Sequence, residues 1–145
     1  MLAQVFVRIF LALTLLLPAV APAQSLGDRE AVLAVNTEFY RAFREADRPG
    51  MEIVWGHQEP ISVVHPSGWA AEGRIHVMNT WWNLMQYPPN IHCDVQSVEF
   101  ADGKALVRCL EQLNPGTIPM INVFHQEDGA WKMIFHGPVK DEATS

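Results

Sequence analysis

Two Asp-Gly pairs, at residues 102–103 and 128–129, constrain the fold of this chain more than any other feature of its sequence. Each pair joins two apolar runs that are rich in β-branched and aromatic residues, and this arrangement is the strongest short-range signal for a β-hairpin. Residues 91–139 are therefore predicted to form four consecutive antiparallel strands. The apolar positions of the first strand run 91, 93, 95 and then 98 and 100, which predicts a β-bulge near Ser97 that curls the sheet.

The segment before the sheet is predicted to supply helices and short strands that cover it. Apolar spacings of three and four residues, with breaks at proline and glycine, predict helices over 26–46, 49–55 and 73–87 and strands over 61–65 and 69–72. The third helix carries one apolar line, which consists of Ile75, Met78, Trp82 and Met85. Further apolar residues widen this line, so we expect the helix to be buried over most of its circumference.

The N-terminal residues 1–23 have the pattern of a secretory signal peptide. A single arginine precedes a short apolar core, and the Ala-Pro-Ala at 21–23 supplies the small residues that a signal peptidase requires. A retained membrane anchor is the alternative, but the apolar run is shorter than a spanning helix and two prolines interrupt it. We therefore expect an exported protein, periplasmic or secreted, with one domain over 24–140 and a short polar tail over 141–145.

The charge balance limits the partners that this domain can have. The chain has ten Lys and Arg against sixteen Asp and Glu, and loss of Arg8 with the signal peptide gives nine minus sixteen, or −7. An acidic protein is repelled by nucleic acid and by anionic lipid. We expect neither nucleic acid nor, after cleavage of the signal, a membrane as a partner.

The register of the first hairpin decides whether the two cysteines can pair. If residues 102–103 form a two-residue turn, Cys93 lies opposite Gln112, and its thiol points to the face opposite that of Cys109. A one-residue slip makes the two cysteines diagonal neighbours near the limit of disulfide reach, and export would permit the bond. Unpaired cysteines are the favoured expectation. The two-residue-turn register also places Asp94 opposite Glu111, where two ionised carboxylates would repel each other. Either one of these carboxyls has a raised pKa or the bulge shifts the register.

The order of predicted elements, α-α-β-β-α-β-β-β-β, resembles the nuclear-transport-factor-2-like superfamily, whose fold is also called cystatin-like. Five stretches carry the resemblance towards its SnoaL-like or ketosteroid-isomerase-like branch: NTEFYRAFREAD, VVHPSG, AEGR, CLEQL and NVFHQEDGAWKMIFHGP. The resemblance covers about residues 26–139. It implies an α+β fold in which a cone-shaped, curled antiparallel sheet wraps around helices and encloses an apolar pocket. One departure is that the final strand keeps a single histidine, which weakens the inference of a histidine-based site there.

Glu111 is the first candidate catalytic residue, because it continues the strand face of Val107 and Cys109. If that face is concave, the carboxyl lies in the pocket, where burial would raise its pKa and suit it to proton transfer. The alternative is a strand-end carboxylate that lies in water or pairs with Arg108 or Lys104.

Two histidines are the other candidate proton carriers. His65 ends an apolar strand before a turn, so it is either an acid, base or donor at the mouth of the pocket or a histidine that bonds to nearby backbone. A two-residue turn at 128–129 pairs His136 with Ile121, whereas a one-residue slip brings it together with Asn122. Asn122 itself either orients a ligand or ties down a neighbouring strand.

The candidate substrate-binding residues are mostly aromatic, and a core role is the main alternative for them. They are Tyr40, Trp55, Trp82, Asn122 and Phe124. The Tyr40 hydroxyl could donate to a developing oxyanion. The six histidines show no HxH or HExxH spacing, and no Gly-rich phosphate loop occurs, so we expect neither a metal nor a cofactor.

These features predict an exported protein with a pocket for a small apolar or aromatic molecule, with isomerase or lyase activity by general acid–base chemistry. The alternative is a non-catalytic module for ligand binding or dimerisation. Apolar residues occur on both faces of the final hairpin, and a monomer would expose one of these sets. We therefore expect a homodimer that forms through the sheet.

Overall fold

The computed structural model describes residues 25–58 and 60–140, which form three helices and six strands. The helices are α1 Leu26–Arg44, α2 Arg48–Val54 and α3 Arg74–Leu84, and the strands are β1 Ser62–Val64, β2 Ala70–Glu72, β3 His92–Ala101, β4 Lys104–Gln112, β5 Thr117–Glu127 and β6 Ala130–Pro138. The predicted signal peptide over 1–23 and the tail over 141–145 lie outside the described residues. None of the described helices is both long and apolar enough to cross a membrane.

The six strands form one sheet in the order β2-β1-β6-β5-β4-β3. The four long strands pair antiparallel in sequence order, as predicted from the two hairpins. The short strand β1 runs parallel to β6, so the sheet as a whole is mixed. The long helix α1 packs on one face of the sheet against β3 and β6, and the buried core lies between them.

The ends of the first two helices follow from local chemistry. Ser25 and Asp28 form a capping box that satisfies free backbone N–H groups at the start of α1. The helix ends two residues earlier than predicted, and Ala46 takes a positive φ of 51°. The side chain of Asp47 then caps α2, and Pro49 lies in its first turn, where a missing N–H costs nothing.

The expectation that α3 is buried over most of its circumference is wrong. Ile75, on the predicted apolar line, is 76% exposed, and Trp82 is only half-buried. Met78 and Met85 of the predicted line are buried, as are Val77 and Trp81. The Trp81 ring packs against Phe39 and Phe43 of α1, whereas the side of α3 that carries Ile75 remains exposed.

A β-bulge in β3 changes the register that the turn alone would set. The turn at 102–103 has two residues, since Ala101 pairs with Lys104, and the predicted bulge occurs between Val95 and Ser97. The extra residue moves Cys93 from Gln112 to a position opposite Glu111.

The same shift corrects one expectation from the first hairpin. Cys93 and Cys109 are diagonal neighbours with Cα atoms 5.3 Å apart, and they form a disulfide, so the expectation of unpaired cysteines is wrong. Asp94 lies opposite Leu110 rather than Glu111, so of the two alternatives for these carboxyls the shift of register by the bulge is the one that occurs.

A second bulge acts in the same way on the closing hairpin. The turn at 128–129 has two residues, since Glu127 pairs with Ala130, but the register shifts between Val123 and Phe124. Ile134 is the extra residue on β6, because Val123 pairs with Phe135 and Phe124 pairs with Met133.

As a consequence, His136 pairs with Asn122, so the second of the two registers that the sequence left open is the one that forms. Since a one-residue shift turns a side chain to the other face of a strand, this bulge places His136 on the buried face.

Candidate functional site

A cavity of about 340 Å³ opens between the buried face of the sheet, the end of α1, α3 and the β1–β2 turn. This volume is in the range of small-molecule sites in proteins. Most of the lining is apolar: Phe43, Val63, Val64, Pro66, Trp69, Trp81, Leu84, Tyr87, Pro89, Ile91, Leu113, Ile118 and Met120. Glu111, His65 and His136 complete the lining, and these three are the predicted catalytic residues.

Glu111 lies on the wall of the cavity and is only 3% exposed. Its neighbour on α1, Tyr40, donates a hydrogen bond from the phenol to Oε1 of the carboxyl at 2.8 Å. Burial raises the pKa of Glu111 to about 7, although the bond from Tyr40 opposes this shift. The alternative of a solvated strand-end carboxylate is therefore wrong, since the concave face of β4 buries it. Burial, together with the nearby Glu111 carboxylate, also raises the pKa of Tyr40 well above its ordinary value.

His136 faces the same carboxyl from β6, with Nε2 3.6 Å from Oε1 of Glu111. Its Nδ1 lies 2.6 Å from Oδ1 of Asn122. The Asn122 amide nitrogen donates to Asn36 and Tyr40, so its oxygen is the acceptor, and we assign the imidazole proton to Nδ1. Burial, with a smaller repulsion from His65, lowers the pKa of His136 to about 3. The imidazole is therefore neutral and presents the Nε2 lone pair to the carboxyl.

Asn36, which sequence reasoning missed, joins this network to the disulfide. It is 2% exposed, and its amide nitrogen lies 3.4 Å from Sγ of Cys93 and 3.7 Å from Sγ of Cys109. A signal for it exists in the sequence, since Asn36 lies four residues before Tyr40 and so shares its helix face. A polar residue on an apolar helix face needs a buried partner, which here is Asn122 at 2.7 Å.

His65 lies at the mouth of the cavity, away from the buried network. Its ring stacks on Trp69 with the centroids 4.8 Å apart and the planes 8° apart. Nδ1 accepts the backbone N–H of Ser67 at 3.1 Å and lies 2.7 Å from the Ser67 hydroxyl. Partial burial lowers the pKa of His65. Both predicted arrangements are thus present at once, a bond to local backbone and a position at the pocket mouth.

The predicted binding residues divide into two groups. Tyr40 and Asn122 belong to the network behind Glu111. Trp55 and Phe124 are fully buried in the core, and Trp82 packs under the guanidinium of Arg48 at 5.4 Å, so none of these three lines the cavity. Their roles in binding stay predictions.

Trp81, which was predicted only as a core aromatic, is the tryptophan of α3 that lines the cavity. Its ring packs edge-on against Phe43 with the centroids 5.2 Å apart. Its indole N–H is buried and has no hydrogen-bond partner in the described part of the chain. Across residues 25–58 and 60–140, no group of three or more His, Cys, Asp or Glu side chains is placed to hold a metal ion.

Comparisons with known proteins agree with this architecture. The chain is similar to the F-box protein SKIP8 of Arabidopsis thaliana, with 26% identity over 110 residues, which cover 73% of this chain and 48% of that protein. The chain thus spans about half the length of this curated relative.

Two solved structures have a similar fold. A proposed dehydratase of the NTF2-like family from Streptomyces avermitilis has 25% identity and a TM-score of 0.62, with 79% of this chain and 98% of that chain covered. A proposed calcium/calmodulin-dependent protein kinase type II association domain from Thiobacillus denitrificans has 21% identity and a TM-score of 0.66, with 74% and 94% covered. The second likeness shows the fold alone. The predicted nuclear-transport-factor-2-like fold is confirmed.

The family itself follows from a match over most of the chain. The model of the SnoaL-like domain matches residues 32–137, which include both bulges, the disulfide and the network around Glu111. Members of this fold are often enzymes or ligand-binding proteins, so the likeness defines a class and no single activity. The chain belongs to the SnoaL-like domain family.

Proposed function

We propose that this protein binds a small apolar or aromatic molecule in the cavity and exchanges a proton with it through Glu111. The observation that supports this is a buried carboxyl, with a pKa raised to about 7, in the wall of an otherwise apolar cavity. A general acid or base works best when its pKa is near the working pH, and enzymes raise the pKa of Glu by burial for this purpose.

The residues around Glu111 suit a carboxyl that holds and releases a proton. Tyr40 and His136 both approach Oε1, so Oε2 is the oxygen that we expect to meet a ligand. The neutral imidazole of His136 presents a lone pair, which can accept a hydrogen bond from the protonated carboxyl or from a ligand hydroxyl. Asn122 keeps this imidazole in one orientation through its bond to Nδ1.

This arrangement suits an isomerase or lyase reaction in which a proton leaves a carbon next to a carbonyl group. Glu111 takes the proton as base and returns it as acid. The name of the relative from Streptomyces avermitilis, a proposed dehydratase, belongs to the same reaction class. A positioned carboxyl typically contributes a rate factor of about 10² to 10⁴ in such reactions.

Deuterium exchange tests this proposal directly. A small cyclic enone is incubated with the protein in D₂O, and incorporation next to the carbonyl is followed by NMR. We expect Glu111→Gln to lose the enzyme-dependent exchange by about 10²-fold or more. Glu52→Gln, at an exposed position of α2, is the matched control and should exchange like the wild type. Binding of the enone without exchange would refute the catalytic role and favour the non-catalytic ligand-binding module.

The proposal includes export and dimerisation. The Cys93–Cys109 disulfide suits an oxidising compartment outside the cytoplasm, and the N-terminal sequence of the mature protein, expected to begin at Gln24, tests export. The outer face of the sheet carries half-buried apolar residues, among them Leu106, Val123 and Phe135, which supports a homodimer. Light scattering after size exclusion tests this, and a mass of one chain would refute it.

A further inference from the structure

The cavity has an unbalanced set of charges. Glu111 is the one carboxyl among the described residues that line it, and none of those residues is Lys or Arg. The two histidines in the lining, His65 and His136, both have lowered pKa values and are neutral at neutral pH. Arg44 donates to the backbone carbonyl of Ile91 but is not part of the lining. Above its pKa, Glu111 is therefore a buried negative charge without a cationic partner in the lining.

The rest of the lining offers aromatic rings. Phe43, near the C-terminal end of α1, and Trp81 of α3 contact each other edge to face. Trp69 and Tyr87 lie towards the opening of the cavity, and their side chains are 40% and 89% exposed. The face of an aromatic ring is electron-rich and attracts cations, most strongly in tryptophan. A carboxyl together with several aromatic rings is an environment that favours a positive group with an apolar body.

We infer that the ligand of this cavity is an apolar organic cation, a protonated amine whose ammonium group meets Glu111 and whose apolar body packs on Phe43 and Trp81. This inference rests on the proposed function, because it names the chemical class that the same cavity takes. Above the pKa of Glu111, anionic ligands such as carboxylates and phosphates are disfavoured, since they would meet a carboxylate with no basic side chain in the lining to neutralise them.

The usual objection to a buried ion pair is the cost of removing both charges from water. Above about pH 7, Glu111 is ionised in the folded protein although it is only 3% exposed, so its share of this cost does not fall on the binding step. The ammonium group loses its water only in part, since the cavity is open at the mouth and aromatic faces replace some of the hydration. The pair also relieves a carboxylate that is otherwise isolated, so binding of a cation favours the ionised form of Glu111.

The proton that Glu111 can exchange with such a group is the one on nitrogen, because an ammonium N–H is far more acidic than the C–H bonds beside it. Removal of a proton from carbon, as in the proposed function, still requires a carbonyl group next to that carbon. A ligand that meets both proposals therefore carries an amine and a carbonyl group.

Matched ligand pairs test the inference on the intact protein. Benzylamine and 2-phenylethylamine are compared with benzyl alcohol and 2-phenylethanol by calorimetry at about pH 8, where both the carboxylate and the ammonium forms prevail. We expect each amine to bind on the order of tenfold to a hundredfold more tightly than its alcohol, the usual range for a charge-assisted hydrogen bond. At about pH 5.5, where Glu111 is protonated, this preference should shrink towards unity.

Glu111→Gln should lose the preference for the amine at about pH 8 while it still binds the alcohols. Glu52→Gln should keep the preference for the amine, because Glu52 is an exposed carboxyl on α2. Alcohols that bind as tightly as the amines would overturn the inference and leave the proposed apolar-ligand function intact. Binding of neither member of either pair would overturn both. A preference for amines that persists in Glu111→Gln would show that the charge is recognised elsewhere and would also overturn the inference.

Discussion

The buried pair Glu111 and His136 predicts an unusual pH dependence of stability for the Glu111→Gln variant. Burial raises the pKa of Glu111 from its ordinary 4.5 to about 7 and lowers the pKa of His136 from 6.5 to about 3. Between about pH 4.5 and 6.5, the folded pair therefore holds one proton on the carboxyl, whereas the unfolded chain holds one proton on the imidazole. Since both states bind the same number of protons, the pair adds no pH dependence to wild-type stability in this window.

Glu111→Gln removes the titration of the carboxyl and leaves that of the His136 imidazole. A raised carboxyl pKa contributes stability that is present below pH 4.5 and is lost as the pH rises to about 7. The lowered pKa of His136 contributes stability that is present above pH 6.5 and is lost as the pH falls towards 3. The variant keeps only the contribution from His136. The free energy of unfolding of the variant, minus that of the wild type, should rise by about 3 kcal/mol between about pH 4.5 and 7, since one pH unit corresponds to about 1.36 kcal/mol.

Urea unfolding, followed by tryptophan fluorescence at a series of pH values, measures this difference. Glutamine at position 111 keeps an oxygen that can accept the hydrogen bond from Tyr40, so the comparison isolates the ionisation of the carboxyl. Glu52→Gln, which changes an exposed carboxyl, should give a curve parallel to the wild type. Parallel curves for Glu111→Gln and the wild type would refute the assignment of a raised pKa to Glu111.

Three further changes test other contacts that stabilise the fold. Replacement of both Cys93 and Cys109 by Ser opens a bond across 16 residues and should lower the free energy of unfolding by about 3 kcal/mol, so an unchanged urea midpoint would contradict it. Gly56→Ala should destabilise the fold by about 1 to 3 kcal/mol, because its Cβ would overlap Oε1 of Glu127. Gly27→Ala, whose Cβ would have its nearest contact at 3.6 Å, is the control and should have little effect, and thermal melts compare the two variants. Burial opposes ionisation of Glu127, but N–H donors from His57 and Gln58 and the ring of His125 prevail and lower its pKa to about 2. The Glu127 carboxylate contributes stability that is present above pH 4.5 and is lost as the pH falls towards 2. Glu127→Gln should therefore reduce the dependence of the free energy of unfolding on pH over this range. An unchanged slope in the variant would contradict the lowered pKa of Glu127.

Much of the fold could be predicted from local sequence. The Asp-Gly pairs predict both hairpins because these residues tolerate the positive φ of such turns, and Asp102 and Asp128 both have φ of 51°. The bulge near Ser97 is visible as a break in the alternation of apolar residues. The position of Glu111 on the face of Cys109 follows from the two-residue period of a strand. All of these features depend on residues that are close to one another in the chain.

The composition of the site depended on contacts that no local pattern records. Asn36 lies far in sequence from Asn122, yet the two amides bond at 2.7 Å because α1 crosses the sheet there. The burial of Trp81 and the exposure of Ile75 likewise depend on which side of α3 packs against Phe39 and Phe43 of α1. Helical spacing alone offers several faces, and packing against a distant element selects one of them.

The sequence by itself determined the order of the elements, the two turns, the family resemblance and the strand face of Glu111. Only the tertiary structure decided the register: the bulge in β3 was predicted without the strand pairing that results from it, and the bulge in β6, whose extra residue is Ile134, was not predicted. Turns are set by the conformational preferences of two residues, whereas a bulge persists only where the packed sheet accepts the extra residue. One bulge brought Cys93 within bonding distance of Cys109, and the other turned His136 towards Glu111.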